Sequence, residues 1–181
     1  MRFGPVPVKS AEGGILAHTH RLSGGGALKK GRVLSAEDIE RLATFGVVEV
    51  VVAQLDADDV PEDEAAATVA RAAAADGVRV GEAATGRCNL YATHRGLLVF
   101  APDEVDETNL VDEALTLGTL PNFSVVEPGT MVATIKIIPF AVLRTTVARC
   151  AAVARGQLAV VPFVPRRAGL IVTTLPGVHS K

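Results

Sequence analysis

The chain has 181 residues, 49% of them hydrophobic, and a formal net charge of −2. It is long enough to bury a core as one large domain, or as one domain with a smaller lobe. The negative charge, the single tyrosine and the absence of tryptophan argue against nucleic-acid binding, which needs cationic surface and aromatic stacking. The sequence has no long uncharged apolar run that predicts a membrane span or a signal peptide, so we expect a cytoplasmic protein without membrane contact.

The first third of the chain predicts short strands and one capped helix. Residues 6–21 are typical of short strands, and the glycines within residues 23–26 predict a turn. Ser35 is the predicted N-cap of a helix, with Asp38 at the third helical position, where a carboxylate can complete a capping box. Gly46 is expected to end this helix.

The middle of the chain predicts two further helices and two β regions. Residues 47–53 form a β-branched run that is typical of a buried strand. A proline followed by three acids and an alanine-rich run predicts a second helix over residues 59–76. A β region is predicted over residues 78–100 and a third helix over residues 103–115.

The last part predicts a strand pair, a helix and a final strand. Residues 123–126 and 131–138 are expected to pair across a Glu-Pro-Gly turn at residues 127–129. The apolar period of residues 140–154 predicts a fourth helix, and residues 158–163 predict the last strand.

These elements favour an α+β (mixed α/β) fold with about four helices and a small β-barrel or sandwich part. We expect one N-terminal accessory domain over residues 1–168, which can be divided into lobes at residues 1–77 and 78–168.

The strand at residues 131–138 carries the first candidate site residue. Strand alternation places Thr134 and Lys136 on one face, opposite the isoleucines. A partly buried ammonium needs a carboxylate, a set of carbonyl groups or a bound anion beside it. Lys136 therefore indicates either an anion site or an internal ion pair with an acid such as Glu127 or Asp112. A lysine that reaches solvent from an edge strand is the third interpretation.

A second segment, residues 85–90, supplies further candidates for binding an anion. Arg87 can hold a phosphate or carboxylate through two parallel hydrogen bonds, and Asn89 can bind a ligand or build a turn. His94 can close the same site, although a solvated loop histidine is the alternative. Together with Lys136, these residues predict a site for a group of phosphate or carboxylate size.

The other histidines and the cysteines do not predict a metal or catalytic centre. His18 and His20 alternate on one strand face, but no third ligand follows at a matching spacing. Cys88 and Cys150 also lack ligand spacing, and a disulfide is disfavoured in a reducing compartment. We therefore predict neither a metal nor a catalytic residue in this domain.

Several segments resemble proteins of molybdenum cofactor biosynthesis. At residues 14–18, 30–39 and 46–47, this chain resembles a segment of the molybdopterin molybdotransferase (MoeA) family, the one that precedes the molybdopterin-binding domain. At residues 86–90, 109–120 and 131–142, this chain resembles the N-terminal region of certain bacterial fusion proteins. Those proteins join a molybdopterin-binding domain to a nucleotidyltransferase-like domain. Residues 169–177 resemble the first strand and turn of the molybdopterin-binding domain, so residues 169–181 are interpreted as its truncated start.

The resemblance implies a non-catalytic N-terminal module that holds a pterin or its phosphate, with a phosphorylated pterin as its partner. It implies no cofactor in this domain and molybdopterin as a cofactor of the parent protein. A second interpretation is the N-terminal part of a cytidylyl- or guanylyltransferase, including proteins similar to 4-diphosphocytidyl-2C-methyl-D-erythritol synthase, whose catalytic domain is absent from this chain. A third is a structural domain that forms a homodimer. We favour the first.

Overall fold

The computed structural model describes residues 1–22 and 26–173, so most of the predicted glycine turn lies outside the described residues. A 3₁₀ helix spans Val8–Ser10. The α-helices are α1 (Ala36–Thr44), α2 (Glu62–Ala73), α3 (Pro102–Leu110) and α4 (Arg144–Val153). The strands are β1 (Arg2–Pro7), β2 (Ile15–Leu16), β3 (His20–Arg21), β4 (Ala27–Leu28), β5 (Glu49–Gln54), β6 (Asp59–Pro61), β7 (Val78–Ala84), β8 (Arg87–Ala92), β9 (Gly96–Val99), β10 (Leu115–Thr119), β11 (Val125–Val126), β12 (Met131–Ile137), β13 (Ala141–Leu143) and β14 (Ala159–Pro162).

The predicted α+β class is confirmed, and the part of the chain that the structure describes has the four α-helices expected. Its strands form open sheets instead of a closed barrel, with the orders β1-β5-β2, β10-β12-β8-β7, β11-β9-β14, β13-β6 and β3-β4. A closed barrel would need the edge strands of the four-stranded sheet, β10 and β7, to be joined through further paired strands. Strand β9 pairs with β11 and β14 instead, which starts a separate sheet.

The first hydrophobic cluster lies within residues 8–52, which we call the first lobe. Strand β5 is the centre of its sheet, and α1 contributes the fully buried Leu42 to the cluster. The predicted capping box is confirmed: the Asp38 backbone N–H donates to Ser35 Oγ at 3.3 Å, and the Ser35 backbone N–H donates to Asp38 Oδ2 at 3.2 Å. Because both bonds are local, they fix the start of α1 independently of the rest of the fold.

The second hydrophobic cluster lies within residues 60–160, which we call the second lobe. Its largest sheet is β10-β12-β8-β7, and α2 packs against β7, β8 and β12. The side chains that α2 buries are small, which lets the helix lie close to the sheet: Ala65, Ala66, Val69, Ala70 and Ala73. Helix α4 then packs against α2.

The two clusters divide the chain earlier than residue 77. Helix α2, which the sequence assigns to a lobe of residues 1–77, packs on the sheet of the second lobe. The last buried residue of the first cluster is Val52 and the first of the second cluster is Val60. The junction between the lobes is therefore formed by residues 53–59.

The predicted pairing of residues 123–126 with residues 131–138 is wrong. Strand β11 pairs with β9, whereas β12 pairs with β10 and β8. The turn between them does form, since the Thr130 N–H donates to Glu127 O at 3.0 Å. Residues of this turn also form backbone hydrogen bonds with Ala92 at the end of β8. These bonds guide β12 into the four-stranded sheet.

Three helices also differ from their predicted ranges. Helix α2 spans Glu62–Ala73 instead of residues 59–76, because residues 59–61 form strand β6 and pair with β13. Helix α3 ends at Leu110, because the Asn109 side chain binds both the N–H and the C=O of Leu117 and brings β10 alongside, at 2.7 and 3.0 Å. Helix α4 begins only at Arg144, because residues 141–143 form strand β13 and pair with β6. Periodicity alone cannot separate a short buried strand from the first turn of a helix.

The segment after β14 is extended and exposed up to residue 173, and residues 169–173 contain no strand. The rest of the segment that resembles a molybdopterin-binding domain lies outside the described residues. Its assignment stays a prediction.

Candidate anion-binding site at the lobe junction

Lys136 lies on an inner strand of the four-stranded sheet, between β10 and β8. The predicted alternation is confirmed, because Ile135 and Ile137 are fully buried while Thr134 and Lys136 are partly exposed on the opposite face. The Lys136 side chain is 29% exposed. It is therefore neither a fully solvated edge residue nor a buried one.

The turn between β7 and β8 lies beside this lysine. Thr85 and Gly86 are its two central residues, with φ angles of 52° and 70°, so the turn is a two-residue hairpin of the kind that favours glycine. A Cβ atom on Gly86 would lie 2.7 Å from both the Ile137 carbonyl oxygen and Lys136 Nζ. Both the backbone angle and the close packing require glycine at this position.

The ammonium of Lys136 is held by this turn and by an acid of α2. Its Nζ donates to the Thr85 carbonyl oxygen at 2.8 Å and lies 3.9 Å from Glu62 Oε2. The acids suggested by the sequence have other partners: Glu127 pairs with Arg95 at 3.2 Å, and Asp112 accepts a hydrogen bond from the backbone of the nearby loop. Glu62 is thus the internal partner of Lys136.

The first turn of α2 places two neighbouring acids with different roles. Asp63 Oδ1 accepts the Gly86 backbone N–H at 2.6 Å and so fastens the hairpin turn to the helix. The Glu62 backbone N–H donates to the Phe140 carbonyl oxygen at 3.0 Å, which fixes the start of the helix. Burial raises the pKa of the Glu62 carboxyl, and the positive charge of Lys136 offsets only part of this rise.

A cavity of about 230 Å³ opens between the two lobes at this point. The first lobe supplies two of its lining residues and the second lobe supplies five: Lys30, Gly31, Glu62, Thr85, Lys136, Ile138 and Phe140. We call it the junction cavity. It contains two ammonium groups and one carboxylate beside an apolar wall, a combination that suits a small anionic group.

Aromatic contacts fix one wall of the junction cavity. Lys30 Nζ lies 5.5 Å from the centre of the Phe140 ring, and the Phe140 ring stacks on Phe3 with 6.1 Å between ring centres. Phe3 belongs to β1, which pairs with β5 in the sheet of the first lobe, whereas Phe140 belongs to the second lobe. The same aromatic pair therefore joins the lobes and positions one of the two amines.

Of the residues predicted from the sequence, Lys136 lines the junction cavity and Arg87 lies beside it. Arg87 is directly opposite Lys136 on the neighbouring strand and is exposed. Asn89 lies further along β8, opposite Thr134. Its Oδ1 accepts the Thr134 hydroxyl at 2.8 Å and its Nδ2 donates to the Tyr91 hydroxyl at 3.3 Å, so its amide is used within the sheet.

The structure does not bring His94 to this site. Arg87 starts β8 and His94 follows its end, so roughly 17 Å of strand separates them. The half-buried His94 ring lies against Gly77 at the opposite end of the sheet, and its Nδ1 lies 3.1 Å from the Arg95 carbonyl oxygen. It therefore cannot contact an anion held by Arg87 and Lys136.

Three side chains of the junction cavity, those of Lys30, Glu62 and Phe140, are not among the candidates that the sequence predicts. Lys30 had a local signal, because it precedes a glycine in a basic segment between two predicted elements. Glu62 was interpreted only as an acid at a helix start. Phe140 had no signal of its own, since an aromatic residue after a strand is most often part of a core.

The structure also shows where the potential metal ligands and the two cysteines lie. Among residues 1–22 and 26–173, no group of three or more His, Cys, Asp or Glu side chains is arranged to hold a metal ion. Cys88 and Cys150 are free and fully buried, and burial raises the pKa of both thiols. Neither thiol is therefore suited to act as a nucleophile.

In the part of the chain that the structure describes, no helix combines the length and the apolar character needed to cross a membrane.

A family profile described as "Domain of unknown function (DUF8806)" matches residues 5–54. The matched segment covers the first lobe and ends before α2, so it coincides with the earlier lobe boundary found in the hydrophobic clusters. It contributes Lys30 and Gly31 to the junction cavity. No curated protein and no solved structure matches the chain.

Proposed function

We propose that this domain is a non-catalytic, cytoplasmic module of a molybdenum cofactor biosynthesis protein, and that it holds the phosphate group of a phosphorylated pterin in the junction cavity. The observation that carries the anion site is the meeting of Lys30 and Lys136, one from each lobe, at a single cavity. The identity of the ligand as a pterin is supported by the resemblance of the sequence to proteins that act on molybdopterin.

The size of the cavity supports a small group. Pockets for drug-sized ligands measure roughly 300–1,000 Å³, and the junction cavity has about 230 Å³. A phosphate group and the atoms next to it fit this volume, whereas the ring system of the ligand extends toward solvent. Ile138 and Phe140 provide an apolar surface for that part.

The charges at the cavity favour an anion when Glu62 is neutral. Two ammonium groups face one carboxylate whose pKa is already raised by burial. A phosphate beside Glu62 raises this pKa further, because two negative charges at short distance disfavour each other. Binding is therefore coupled to proton uptake by Glu62.

Calorimetric titration with inorganic phosphate and with a phosphorylated pterin tests the proposal. We expect Lys30→Met and Lys136→Met each to weaken phosphate binding by about tenfold, because each removes one charge contact while keeping an apolar stem. Lys29→Met is the matched control, since Lys29 is exposed and does not line the cavity. Phosphate binding that is equally strong in all three variants contradicts the anion site.

The ligand class is tested separately from the anion site. We expect the phosphorylated pterin to bind more tightly than inorganic phosphate, since its ring adds contacts with the apolar wall. A sugar phosphate of similar charge is the control for this comparison. If it binds as tightly as the pterin, the anion site stands and the assignment to molybdenum cofactor biosynthesis fails.

Glu62→Gln tests the coupling to protons. We expect the variant to bind phosphate about tenfold more tightly than the wild type at pH 7, because a nearby negative charge is removed. Because the wild type and the variant are compared at the same pH, the ionisation state of phosphate is the same for both and does not contribute to the difference in affinity. Equal affinity of the two proteins would show that Glu62 does not face the bound anion.

A further inference from the structure

One row of residues across the four-stranded sheet, next to the turn between β7 and β8, carries two positive charges. In register across the sheet, this row contains Ala84, Arg87, Lys136 and Thr116. Arg87 of β8 and Lys136 of β12 are direct neighbours. No member of the row is an acid, so the row itself places no negative charge between the two cations.

The backbone brings these two side chains close together. The Ile137 N–H donates to the Gly86 carbonyl oxygen at 2.7 Å. In an antiparallel ladder, hydrogen-bonded and non-hydrogen-bonded positions alternate, so the next pair along the strands, Lys136 with Arg87, is a non-hydrogen-bonded pair. Side chains approach most closely at such pairs, and like charges directly opposite each other are destabilising.

Arg87 lacks the compensation that Lys136 has. Lys136 is held by the Thr85 carbonyl oxygen at 2.8 Å and by Glu62 at 3.9 Å. Arg87 is exposed, and within residues 1–22 and 26–173 it forms no ion pair. Its guanidinium has the planar set of donors that binds a phosphate through two parallel hydrogen bonds. An anion bound between Arg87 and Lys136 would replace their repulsion with two attractions.

Lys136 belongs both to this row and to the junction cavity, where Lys30 is the other amine. It is therefore shared by two pairs of cations, Lys30 with Lys136 and Lys136 with Arg87. An anion beside either pair is attracted by two positive charges. The two phosphoryl groups of a diphosphate share one bridging oxygen, so they can occupy two such neighbouring places at once.

We propose that the ligand of this domain carries a diphosphate, with one phosphoryl group between Lys30 and Lys136 and the other between Lys136 and Arg87. The inference rests on the proposed function and adds to it the chemical class of the ligand. The first phosphoryl group lies in the junction cavity, and the second lies beside it on the outward face of the sheet. Arg87 is thus the residue that selects a diphosphate over a monophosphate.

Calorimetric titration with inorganic phosphate and with pyrophosphate tests the proposal. We expect the wild type to bind pyrophosphate at least about tenfold more tightly than phosphate, and Arg87→Gln to lose most of this preference, because it lacks the donors for the second phosphoryl group. Its affinity for phosphate should fall by less than about threefold, since the cavity is unchanged. Arg79→Gln is the matched control, because it removes the same charge from the same sheet face, where Arg79 lies over the Tyr91 ring.

Thermal melts without ligand give a second measurement. At low salt we expect Arg87→Gln to raise the melting temperature by about 1 °C, because it removes the repulsion with Lys136. Arg79→Gln should not raise it, since that change removes the contact with the Tyr91 ring. Added salt should reduce the gain in Arg87→Gln, because exposed charges are screened. A lower melting temperature for Arg87→Gln would show that its charge is already compensated within the protein, and the proposal would be overturned.

The titrations separate this inference from the proposed function. If Lys136→Met weakens phosphate binding while Arg87→Gln keeps the full preference for pyrophosphate, the anion site stands and the diphosphate inference is overturned. A preference that Arg87→Gln and Arg79→Gln reduce equally overturns it as well, because the preference then reflects overall charge. A wild type that binds neither anion overturns both proposals.

GDP distinguishes two sources of the diphosphate. Binding of GDP at least as tight as that of pyrophosphate, and weakened by Arg87→Gln, supports a diphosphate that is part of a larger organic ligand. Binding of pyrophosphate without binding of GDP supports free pyrophosphate as the ligand.

Discussion

The two larger sheets of the second lobe bury one face in the same core and differ in the face they turn outward. The outward face of the four-stranded sheet β10-β12-β8-β7 is polar, with the residues Arg79, Arg87, Asn89, Tyr91, Thr116, Thr134 and Lys136. The outward face of the three-stranded sheet β11-β9-β14 is apolar, and we call it the apolar face; its residues are Leu97, Val99, Val125, Ala159 and Val161. The inner faces of both sheets follow the same pattern of buried aliphatic residues.

The polar face is stabilised by contacts between its own side chains. Asn89 joins Thr134 to Tyr91 through hydrogen bonds, and the Arg79 guanidinium lies 4.5 Å from the centre of the Tyr91 ring. Lys136 binds the hairpin turn. Such contacts compensate for partial loss of water, so this face is stable without a partner. The apolar face consists of aliphatic side chains, which cannot make such polar contacts.

The largest expected effect is at the turn that supports the polar face. We expect Gly86→Ala to lower the free energy of unfolding by about 3 kcal/mol, because alanine is strained at this φ and its Cβ meets the Ile137 carbonyl oxygen and the charged ends of Glu62 and Lys136. Gly129→Ala is the control, since its φ is also positive but no atom lies within 4 Å of the added Cβ. We expect that variant to lose about 1 kcal/mol. Equal losses in urea unfolding would show that the packing around Gly86 contributes nothing.

A smaller effect is expected where α2 fastens the same turn. We expect Asp63→Ala to lower the free energy of unfolding by about 1.5 kcal/mol, because it removes the acceptor of the buried Gly86 N–H. Glu64→Ala is the control, because Glu64 is an exposed acid in the same helical turn. If chemical denaturation gives the same stability for both variants, the bond to Gly86 does not hold the polar face in place.

The pH dependence of stability tests the raised pKa of Glu62. The pKa of Glu62 is raised by burial, so the folded state holds this proton more tightly than the unfolded state. The free energy of unfolding therefore falls as the pH rises from the unfolded pKa, about 4.3, through the higher folded pKa, and the ionised carboxylate opposes folding above that range. We expect Glu62→Gln to reduce this fall in thermal melts between acidic and neutral pH. A variant with the pH profile of the wild type contradicts the raised pKa.

The smallest expected effect is on the apolar face itself. We expect Val161→Thr to change the free energy of unfolding of the monomer by less than about 0.5 kcal/mol, because Val161 is 47% exposed. Val160→Thr, on the opposite side of the same strand and 1% exposed, should cost about 2 kcal/mol, since it buries a hydroxyl in the core. A large loss in Val161→Thr would mean that the apolar face is already packed within the monomer.

Local patterns in the sequence predicted several elements of the fold well. The capping box of Ser35 and Asp38, the acidic start of α2 and the alternation along β12 all depend on residues close in sequence. Their energies are decided within one turn or one strand, so the pattern carries enough information. The α+β class followed from the order of these elements.

Strand pairing and lobe boundaries were less predictable. Strand β9 leaves the sheet of its neighbour β8 and pairs with β11 and β14, and a strand pattern does not state its partner. The alanines of α2 fit either lobe by composition. Their place was decided by which sheet they could approach closely.

The sequence by itself determined the alternation along β12, the N-terminal cap of α1 and the turn at residues 127–129, because each depends on neighbouring residues. It also selected Lys136 as a charge that needs a partner. Only the tertiary structure decided that the partner is Glu62, that Lys30 of the other lobe shares the cavity, and that His94 lies far away. These relations join residues distant in sequence. The pairing of Lys136 with Glu62 and the position of His94 arise from the folding of the second lobe, and only the approach of Lys30 requires the two lobes to pack together.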